Sequence, residues 1–307
     1  MKKQSILTAV ISILVSVIII LAVIGDVNVN ISGDIISVNS GAPAAPVTAP
    51  AAPAVAQTTA PAVQTTAPAA DSSEAATAPA DSANPTDTKA IIDQYTLLVN
   101  KFKQEKPAYK KKEFQALPEE FHNLGTAGNI VLDIAAGYMT TEEECEEIVR
   151  AAGAEEIKND MPIHNSEVGC LLTDYDAVAW AKCEDVGDGT KKISFSLKEE
   201  MNAEPTPGDT LVPVSVHGTV MQPLSRNEIT TEVEKITSKI PGLGINDFSL
   251  GYRDCEFSCI YNPETDQVLS ITHHVVIDIN ADIQLFVANI AGSARLYNDM
   301  LIYDITW

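Results

Sequence analysis

A long segment with few bulky apolar side chains divides this chain into parts of different character. Residues 41–85 consist almost entirely of Ala, Pro, Thr, Val, Gln and Ser, and the hexapeptide QTTAPA occurs in them twice. Such a composition buries too little apolar surface to offset the entropy of ordering the backbone. Regularly spaced prolines favour an extended spacer of up to about 3.1 Å per residue. We therefore predict a disordered Ala/Pro/Thr-rich stalk over residues 26–87.

An uncharged apolar run before the stalk predicts a membrane anchor. It begins at Ile6, contains Leu14 near its centre and ends at Ile24. At about 1.5 Å per helical residue, its length approaches the roughly 30 Å thickness of the bilayer hydrocarbon core. A cleaved signal peptide is the alternative. However, the run exceeds the usual apolar core of about 7–15 residues, and no good A-x-A site follows it.

The charged residues predict the orientation of the chain and exclude one class of partner. The only basic residues near the apolar run are Lys2 and Lys3, so the short N-terminal end is expected to stay in the cytoplasm. We therefore predict a cytoplasmic tip and transmembrane anchor over residues 1–25. An extracytoplasmic domain over residues 88–307 of a single-pass cell-membrane protein would follow the stalk. A formal net charge of −22 argues against nucleic acid as a partner.

Hydrophobic periodicity within the domain predicts three helices. Thr86 or Asp87 can cap the first helix, and Pro107 would end it. A second helix is expected over residues 140–153, and a third begins with a capping box at Ser225. One face of the first helix collects Ile91, Tyr95, Leu98 and Phe102.

Alternation with a period of two predicts strands in the rest of the domain. Residues 176–198 have the pattern of a β-hairpin with a Gly-Asp-Gly turn at 187–189. The predicted fold class is therefore α+β. A curved antiparallel sheet, made of the hairpin and a four-strand C-terminal meander, would carry about three helices on one face. The meander strands are expected at residues 248–262, 267–280, 282–291 and 295–306.

One helical segment carries a family resemblance. Together with the apolar run and the stalk, the sequence YTLLVNKFKQEKP at residues 95–107 resembles a group of uncharacterised membrane-anchored, stalked surface proteins of Gram-positive bacteria. The resemblance extends to the C-terminal part of the chain through YNPETDQVLSITH at residues 261–273. That group has no established activity, so the resemblance implies architecture and location only.

Two cysteines four residues apart, Cys255 and Cys259, have the spacing of a metal or redox pair. On a strand their Cα atoms would lie roughly 13 Å apart, whereas a disulfide needs less than about 7 Å. They therefore cannot bridge each other or share one zinc ion without a sharp bulge. Two interpretations remain. Both are core thiols, or one of them pairs across strands with Cys183 or Cys170. We predict no metal and no cofactor.

Two adjacent histidines, His273 and His274, would face opposite sides of a strand. His273 shares its side with Leu and Ile residues, so a satisfied core histidine is expected there. His274 lies on the more polar side with Asp278, and it is the candidate general base of a hydrolase. The sequence shows no nucleophile motif beside it.

Six lysines stand close together in an otherwise acidic domain. They form either the positive end of the first helix followed by a solvated loop, or a patch that binds anionic wall polymer or lipid headgroups. These residues are Lys101, Lys103, Lys106, Lys110, Lys111 and Lys112.

The predicted function combines these features. We expect a non-enzymatic binding or structural module, displayed on a stalk and held in the membrane by its N-terminal helix. Its more specific form has an apolar-ligand pocket between the sheet and the helices, and cell-wall polymer is the other expected partner. The alternative is an extracytoplasmic hydrolase with a site around His274.

Overall fold

Nine strands form a single antiparallel sheet in the computed structural model, which describes residues 86–117, 140–237, 243–285 and 288–307. Within these ranges, the protein therefore has a sheet-rich fold with few helices. The predicted anchor at residues 1–25 and the stalk before residue 86 lie outside them. None of the helices in the described ranges is long and apolar enough to cross a membrane.

Two long connections without an α-helix or a β-strand occur in the described ranges, at residues 161–177 and 202–225. The bounds of the helices and strands are α1 Thr88–Glu105, β1 Ala108–Ala116, β2 Ile148–Arg150, α2 Ile157–Asp160, β3 Val178–Gly187, β4 Thr190–Leu197, β5 Glu200–Met201, α3 Arg226–Thr237, β6 Leu243–Tyr252, β7 Glu256–Asn262, β8 Gln267–Leu285 and β9 Ala288–Thr306.

The long strand β8 organises the sheet. The strand order is β2-β1-β9-β8-β7-β4-β3, and β6 pairs with both β8 and β5. β7 pairs with the first half of β8, through His274, while β6 pairs with its second half, from Ile277 onward. The predicted strand at 248–262 is therefore two strands that lie end to end along one edge of β8. They are separated at residues 253–255, where Asp254 has a φ of 52°.

The first helix, α1, forms as the sequence predicts and defines the inner face of the sheet. Asp87 caps its N-terminus by accepting a hydrogen bond from the Ala90 N–H at 3.4 Å. Lys106 takes a left-handed conformation at its C-terminus, directly before Pro107. The four residues of its predicted apolar face, Ile91, Tyr95, Leu98 and Phe102, are each no more than 1% exposed.

The predicted hairpin is also present. β3 and β4 pair from Val178 to Gly187, with register shifts between Val178 and Trp180 and between Asp185 and Gly187, and the turn lies at Asp188 and Gly189. Gly187, Asp188 and Gly189 have φ values of 101°, 53° and 74°, which explains the glycine-rich turn sequence.

Two predictions near the lysine cluster are wrong. Residues 140–153 do not form a helix, because the short strand β2 pairs there with β1. The lysine-rich segment after the first helix, interpreted as a solvated loop, belongs to β1, which pairs with the edge of β9. Its inward positions include Lys111 and Gln115, so it lacks the apolar alternation by which strands are predicted.

Candidate functional site

The five cysteines are free thiols in this structure. Cys183 lies opposite Ile193, which in turn lies opposite Cys259. The two cysteines are therefore two strands, or about 10 Å, apart, beyond the roughly 7 Å limit for a disulfide. Burial raises the pKa of Cys255 to about 12 and also raises that of Cys259. This geometry favours core thiols at both positions.

The six clustered lysines do not share one surface. The Lys103 side chain is fully buried, and Lys111 lies under the 157–160 segment, where its Nζ is 2.6 Å from the Asp160 carbonyl. Lys111 Nζ is also 2.8 Å from the Glu113 carboxylate. The ammonium groups of Lys103 and Lys111 thus lie inside the domain and are not available to an external anion.

The other lysines of the cluster point to different partners. Lys106 lies between the carboxylates of Glu155 and Glu167, and Lys110 lies between those of Glu147 and Asp304. Lys101 donates to the Thr265 carbonyl at 2.7 Å and stands over the Trp307 ring. This dispersal among carboxylates lowers the positive potential that an anionic polymer would meet. The patch of Lys101, Lys103, Lys106, Lys110, Lys111 and Lys112 is therefore not a continuous basic surface.

The helix motif that carries the family resemblance has a structural role. Asn100 Oδ1 accepts from the backbone N–H groups of Gly169 and Cys170 at 2.7 and 2.9 Å, and its Nδ2 donates to the Cys170 carbonyl at 3.2 Å. Lys103 Nζ donates to the carbonyl of Ile163 at 2.8 Å and approaches that of Met161 at 3.3 Å. Both side chains dock the irregular 158–172 segment on α1.

The two histidines face opposite sides, as the alternation predicts. His273 lies between Phe257 and Met300 on the inner face, and its Nε2 is 3.0 Å from the Tyr95 hydroxyl. Burial, with a smaller effect from the Lys111 ammonium, lowers the pKa of His273 to about 3. His273 is therefore a neutral, hydrogen-bonded core residue.

His274 lies on the opposite, outer face of the sheet and forms an ion pair. Its Nδ1 is 2.7 Å from Asp299 Oδ1, on the neighbouring strand β9. Glu256 lies opposite on β7, and the Tyr297 ring packs 5.1 Å away. The hydrogen bond to Asp299 raises the pKa of His274, although partial burial opposes the shift. The predicted partner Asp278 is engaged elsewhere, with Arg295 and Arg253.

The space between α1 and the sheet, where the sequence predicted a pocket, is occupied by packed side chains in the described residues. The Tyr95 and Phe195 rings meet edge to face at 4.8 Å, and Phe195 packs against Phe257 at 5.3 Å. All three residues are at most 1% exposed. The predicted position of an apolar pocket is therefore wrong for this part of the core.

A cleft of about 350 Å³ opens instead between two irregular segments, beside the short strand β5. Its volume is at the lower end of the range of ligand sites, about 300–1,000 Å³. We call it the loop cleft. It is lined by Leu171, Leu172, Thr173, Asp174, Glu200, Pro213, Val214, Ser215, Val216 and Thr219.

The wall formed by residues 213–219 is held by its own hydrogen bonds. Ser215 Oγ donates to the Glu204 carbonyl at 2.6 Å and accepts from the Gly218 N–H at 3.0 Å. A Cβ atom at Gly218 would lie 2.3 Å from the Glu204 carbonyl oxygen, so the turn requires glycine. The Leu171 N–H donates to the Thr219 carbonyl at 2.8 Å and ties the two walls together.

Glu200 supplies a fixed negative charge to the loop cleft. Its Oε1 accepts from the Val216 N–H at 3.1 Å, and its Oε2 accepts from the His217 N–H at 2.8 Å and lies 2.9 Å from His217 Nδ1. Because an ionised carboxylate only accepts, His217 Nδ1 carries the proton. Burial opposes ionisation, but these hydrogen bonds outweigh it and lower the pKa of Glu200.

The arrangement combines apolar walls with an ionised carboxylate that is 24% exposed. Such a site can bind an apolar group that carries an ammonium or another hydrogen-bond donor. No sequence pattern indicated this site, because residues 202–225 have no hydrophobic periodicity. The feature that could have indicated the site is the length of that connection. Within it, only His217–Thr219 form a regular turn, a short 3-10 helix. Long irregular connections in compact domains are often functional.

No group of three or more potential metal-ligating side chains occurs among the residues that the structure describes. Comparisons with protein-family models, with curated protein sequences and with solved structures found no match for this chain.

Proposed function

We propose that this protein is a membrane-anchored, extracytoplasmic binding module without enzymatic activity. Its sheet-rich domain would be displayed on the Ala/Pro/Thr-rich stalk, and its ligand would bind in the loop cleft. The loop cleft itself is the observation that carries the proposal, because it combines an open concave volume of about 350 Å³ with apolar walls and a fixed carboxylate.

The chemistry of the loop cleft indicates the class of ligand. Val214 is 61% exposed and offers an apolar surface to an incoming group. The Glu200 carboxylate has about four acceptor positions, of which three are used by Val216 and His217. An amine-bearing apolar molecule fits both features, because its ammonium pairs with Glu200 while its hydrocarbon part covers the walls.

The cellular setting of the proposal rests on the sequence. The apolar run at residues 6–24 supports the membrane anchor, and the composition of residues 41–85 supports the stalk. The family resemblance supports the same architecture. The finer fold description, an α+β domain with helices on one face of a curved sheet, is supported by the packing of α1 on the inner face.

The loop cleft predicts selective binding of a small amphiphilic cation. We expect phenethylammonium to bind the full chain in lipid nanodiscs, measured by ligand-observed NMR titration, and the size-matched anion 3-phenylpropionate not to bind. Glu200→Gln should weaken phenethylammonium binding about tenfold, because it removes the negative charge of the loop cleft.

Neighbouring residues provide matched controls. Glu199 is exposed and precedes Glu200, and Val212 is exposed and precedes the lining residue Val214. Glu199→Gln and Val212→Ser should leave the affinity unchanged, whereas Val214→Ser should reduce it. Equal binding of the cation and the anion, or equal effects of the two glutamate variants, would contradict the proposal.

A hydrolase centred on His274 is the second candidate function. One observation favours it, because His274 Nδ1 lies 2.7 Å from the Asp299 carboxylate, the geometry that orients a catalytic histidine. The contacts described for His274 include a second carboxylate, Glu256, and the Tyr297 ring. These neighbours stabilise the imidazolium form, which suits an ion pair better than a general base.

Replacing His274 with asparagine distinguishes these two roles. The folded-state pKa of His274 is raised, so the ion pair stabilises the protein below the unfolded value of about 6.5 and this contribution is lost as the pH rises through the raised value. For a pair this exposed, we expect a loss of about 0.5 kcal/mol at about pH 5.5 and less at about pH 8.5, measured by urea unfolding.

The same variant tests catalysis. Hydrolysis of a chromogenic ester such as p-nitrophenyl butyrate by the full chain should be no faster than in buffer, with or without His274. Ester hydrolysis above background that disappears in both His274→Asn and Asp299→Asn would establish the hydrolase and reject the binding module as the sole function.

A further inference from the structure

The strand β3 lies at an edge of the sheet among the residues that the structure describes. It stands last in the strand order and, in the part of the chain that the structure describes, it pairs only with β4. Its outward side chains are unusually accessible for a strand, with 52% exposure for Lys182 and 53% for Glu184. Trp180 and Val186 are 39% and 47% exposed. A strand edge of this kind presents unpaired backbone groups to another strand.

The sequence of β3 is complementary to itself. Lys182 and Glu184 stand before and after Cys183, and their side chains lie on the face opposite to that of Cys183. Within one chain, Lys182 Nζ is 3.1 Å from Glu184 Oε2. If a second copy of β3 pairs antiparallel about Cys183, Lys182 of each copy lies opposite Glu184 of the other. The four charges then alternate in sign. Opposite charges directly across an antiparallel pair are favourable, and like charges are not.

The same register brings apolar residues together at both ends of the pair. Counted from Cys183, Trp180 of one copy reaches the level of Val186 of the other, which lies at the register shift between Asp185 and Gly187. An aromatic residue beside a β-branched residue is a favourable cross-strand combination. Around the two-fold axis, Lys182 of each copy thus faces Glu184 of the other, and Trp180 of each copy lies level with Val186 of the other. A one-residue slip of the register would lose both matches.

We propose that two copies of this chain associate through β3 and continue their sheets across a two-fold axis at Cys183. The interface is isologous, because each copy contributes the same strand. An unrelated extended peptide could use the backbone edge, but it has no reason to match this alternation of charge. A second copy supplies the complement by symmetry.

The geometry also suits two chains anchored in one membrane. The axis is perpendicular to the sheet, so α1 lies on the same side of the joined sheets in both copies. The two Thr88 residues, at which α1 begins, therefore lie on one side of the dimer. The compatibility with one membrane rests on the proposed anchor, whereas the pairing of the two β3 strands does not.

Cysteine cross-linking in membranes tests the proposal with the full chain. Directly opposed Cα atoms in an antiparallel pair are about 4.5–5.5 Å apart, within the disulfide range of about 4.4–6.8 Å. Copper phenanthroline should therefore join the two Cys183 thiols. Each thiol loses one proton and one electron to the oxidant as the S–S bond forms. We expect a reductant-sensitive band at twice the 32.8 kDa chain mass.

Cysteine variants identify the residue that cross-links. Cys183→Ser should abolish the band, and Cys145→Ser should retain it, since Cys145 is the other partly exposed thiol and lies on the β2 side of the sheet. Absence of the band in the unmodified chain, or its persistence without Cys183, would overturn the proposal.

Charge reversal distinguishes a specific interface from random collision. Lys182→Glu and Glu184→Lys each place like charges opposite one another at both ends of the axis, so each should lower the cross-linking yield about fivefold or more. The double variant, K182E with E184K, restores opposite charges and should recover the yield to within about twofold of the unmodified chain. A yield that depends on Cys183 but ignores both single reversals reflects collision and overturns the proposal as well.

Discussion

Replacing Asn100 with alanine is expected to lower the free energy of unfolding by about 3 kcal/mol. This one side chain makes three hydrogen bonds to the backbone of Gly169 and Cys170. Its removal leaves two N–H donors and one carbonyl without partners at a partly buried contact, and each such loss costs about 1–3 kcal/mol. Gly169 packs so closely on α1 that a Cβ there would lie 3.0 Å from the Val99 carbonyl oxygen, which limits access for replacement water.

Urea unfolding of the full chain, followed by tryptophan fluorescence, measures this effect. Gln104→Ala is the matched control, because Gln104 is an exposed amide on the same helix. The control should change stability by less than about 0.5 kcal/mol. A loss at Asn100 no larger than that of the control would show that the 158–172 segment docks on α1 without this side chain.

Replacing Lys103 with methionine is expected to cost about 3 kcal/mol at about pH 7. Methionine fills a similar volume, but it cannot donate to the carbonyl groups of Met161, Pro162 and Ile163, which the Lys103 ammonium now contacts. Those carbonyls lie in the interior, where an unmatched acceptor costs free energy. Lys101→Met, on the same helix but partly exposed, should cost less than about 1 kcal/mol.

The cost at Lys103 should depend on pH. Burial, with a smaller effect from Lys158, lowers the pKa of Lys103 from 10.5 to about 7. Between these two values the unfolded chain binds a proton that the folded chain does not. Unfolding therefore becomes less favourable as the pH rises, by up to about 1.4 kcal/mol per pH unit.

The methionine variant lacks this contribution, so its deficit relative to the unmodified chain should widen by about 2 kcal/mol between about pH 7 and pH 9. Urea unfolding at the two pH values checks the sign. A deficit that stays the same at the two pH values would mean that the buried amine keeps its proton in the folded state throughout this range.

Part of the fold could be predicted because it follows local periodicity. The apolar face of α1 recurs at helical spacing, and all four of its predicted members are buried. The β3–β4 hairpin has alternating strands around a glycine-rich turn, and it forms at the predicted place. Alternation also separated His273 from His274, since neighbouring residues on a strand face opposite sides.

Other parts depend on partners that are distant in the chain. β1 pairs with β9, and two of its three buried residues, Lys111 and Gln115, are polar, so no apolar pattern marked it as a strand. β6 and β7 lie end to end because each pairs with a different half of β8. The hydrophobic pattern of residues 248–262 does not by itself mark the boundary between them. The loop cleft brings residues 171–174 beside residues 213–219 through irregular segments that have no period.

The sequence by itself determined the division into an apolar run, an Ala/Pro/Thr-rich segment and an acidic remainder, along with the first helix and the hairpin. Composition and short-range periodicity are properties of neighbouring residues, so they need no contact map. Only the tertiary structure decided which polar side chains are buried and which are available. Lys103, Lys111 and His273 carry groups typical of functional sites, yet backbone carbonyls, a carboxylate and the Tyr95 hydroxyl engage them inside the domain. Burial of a polar group depends on whether a partner meets it, and folding alone brings those partners together.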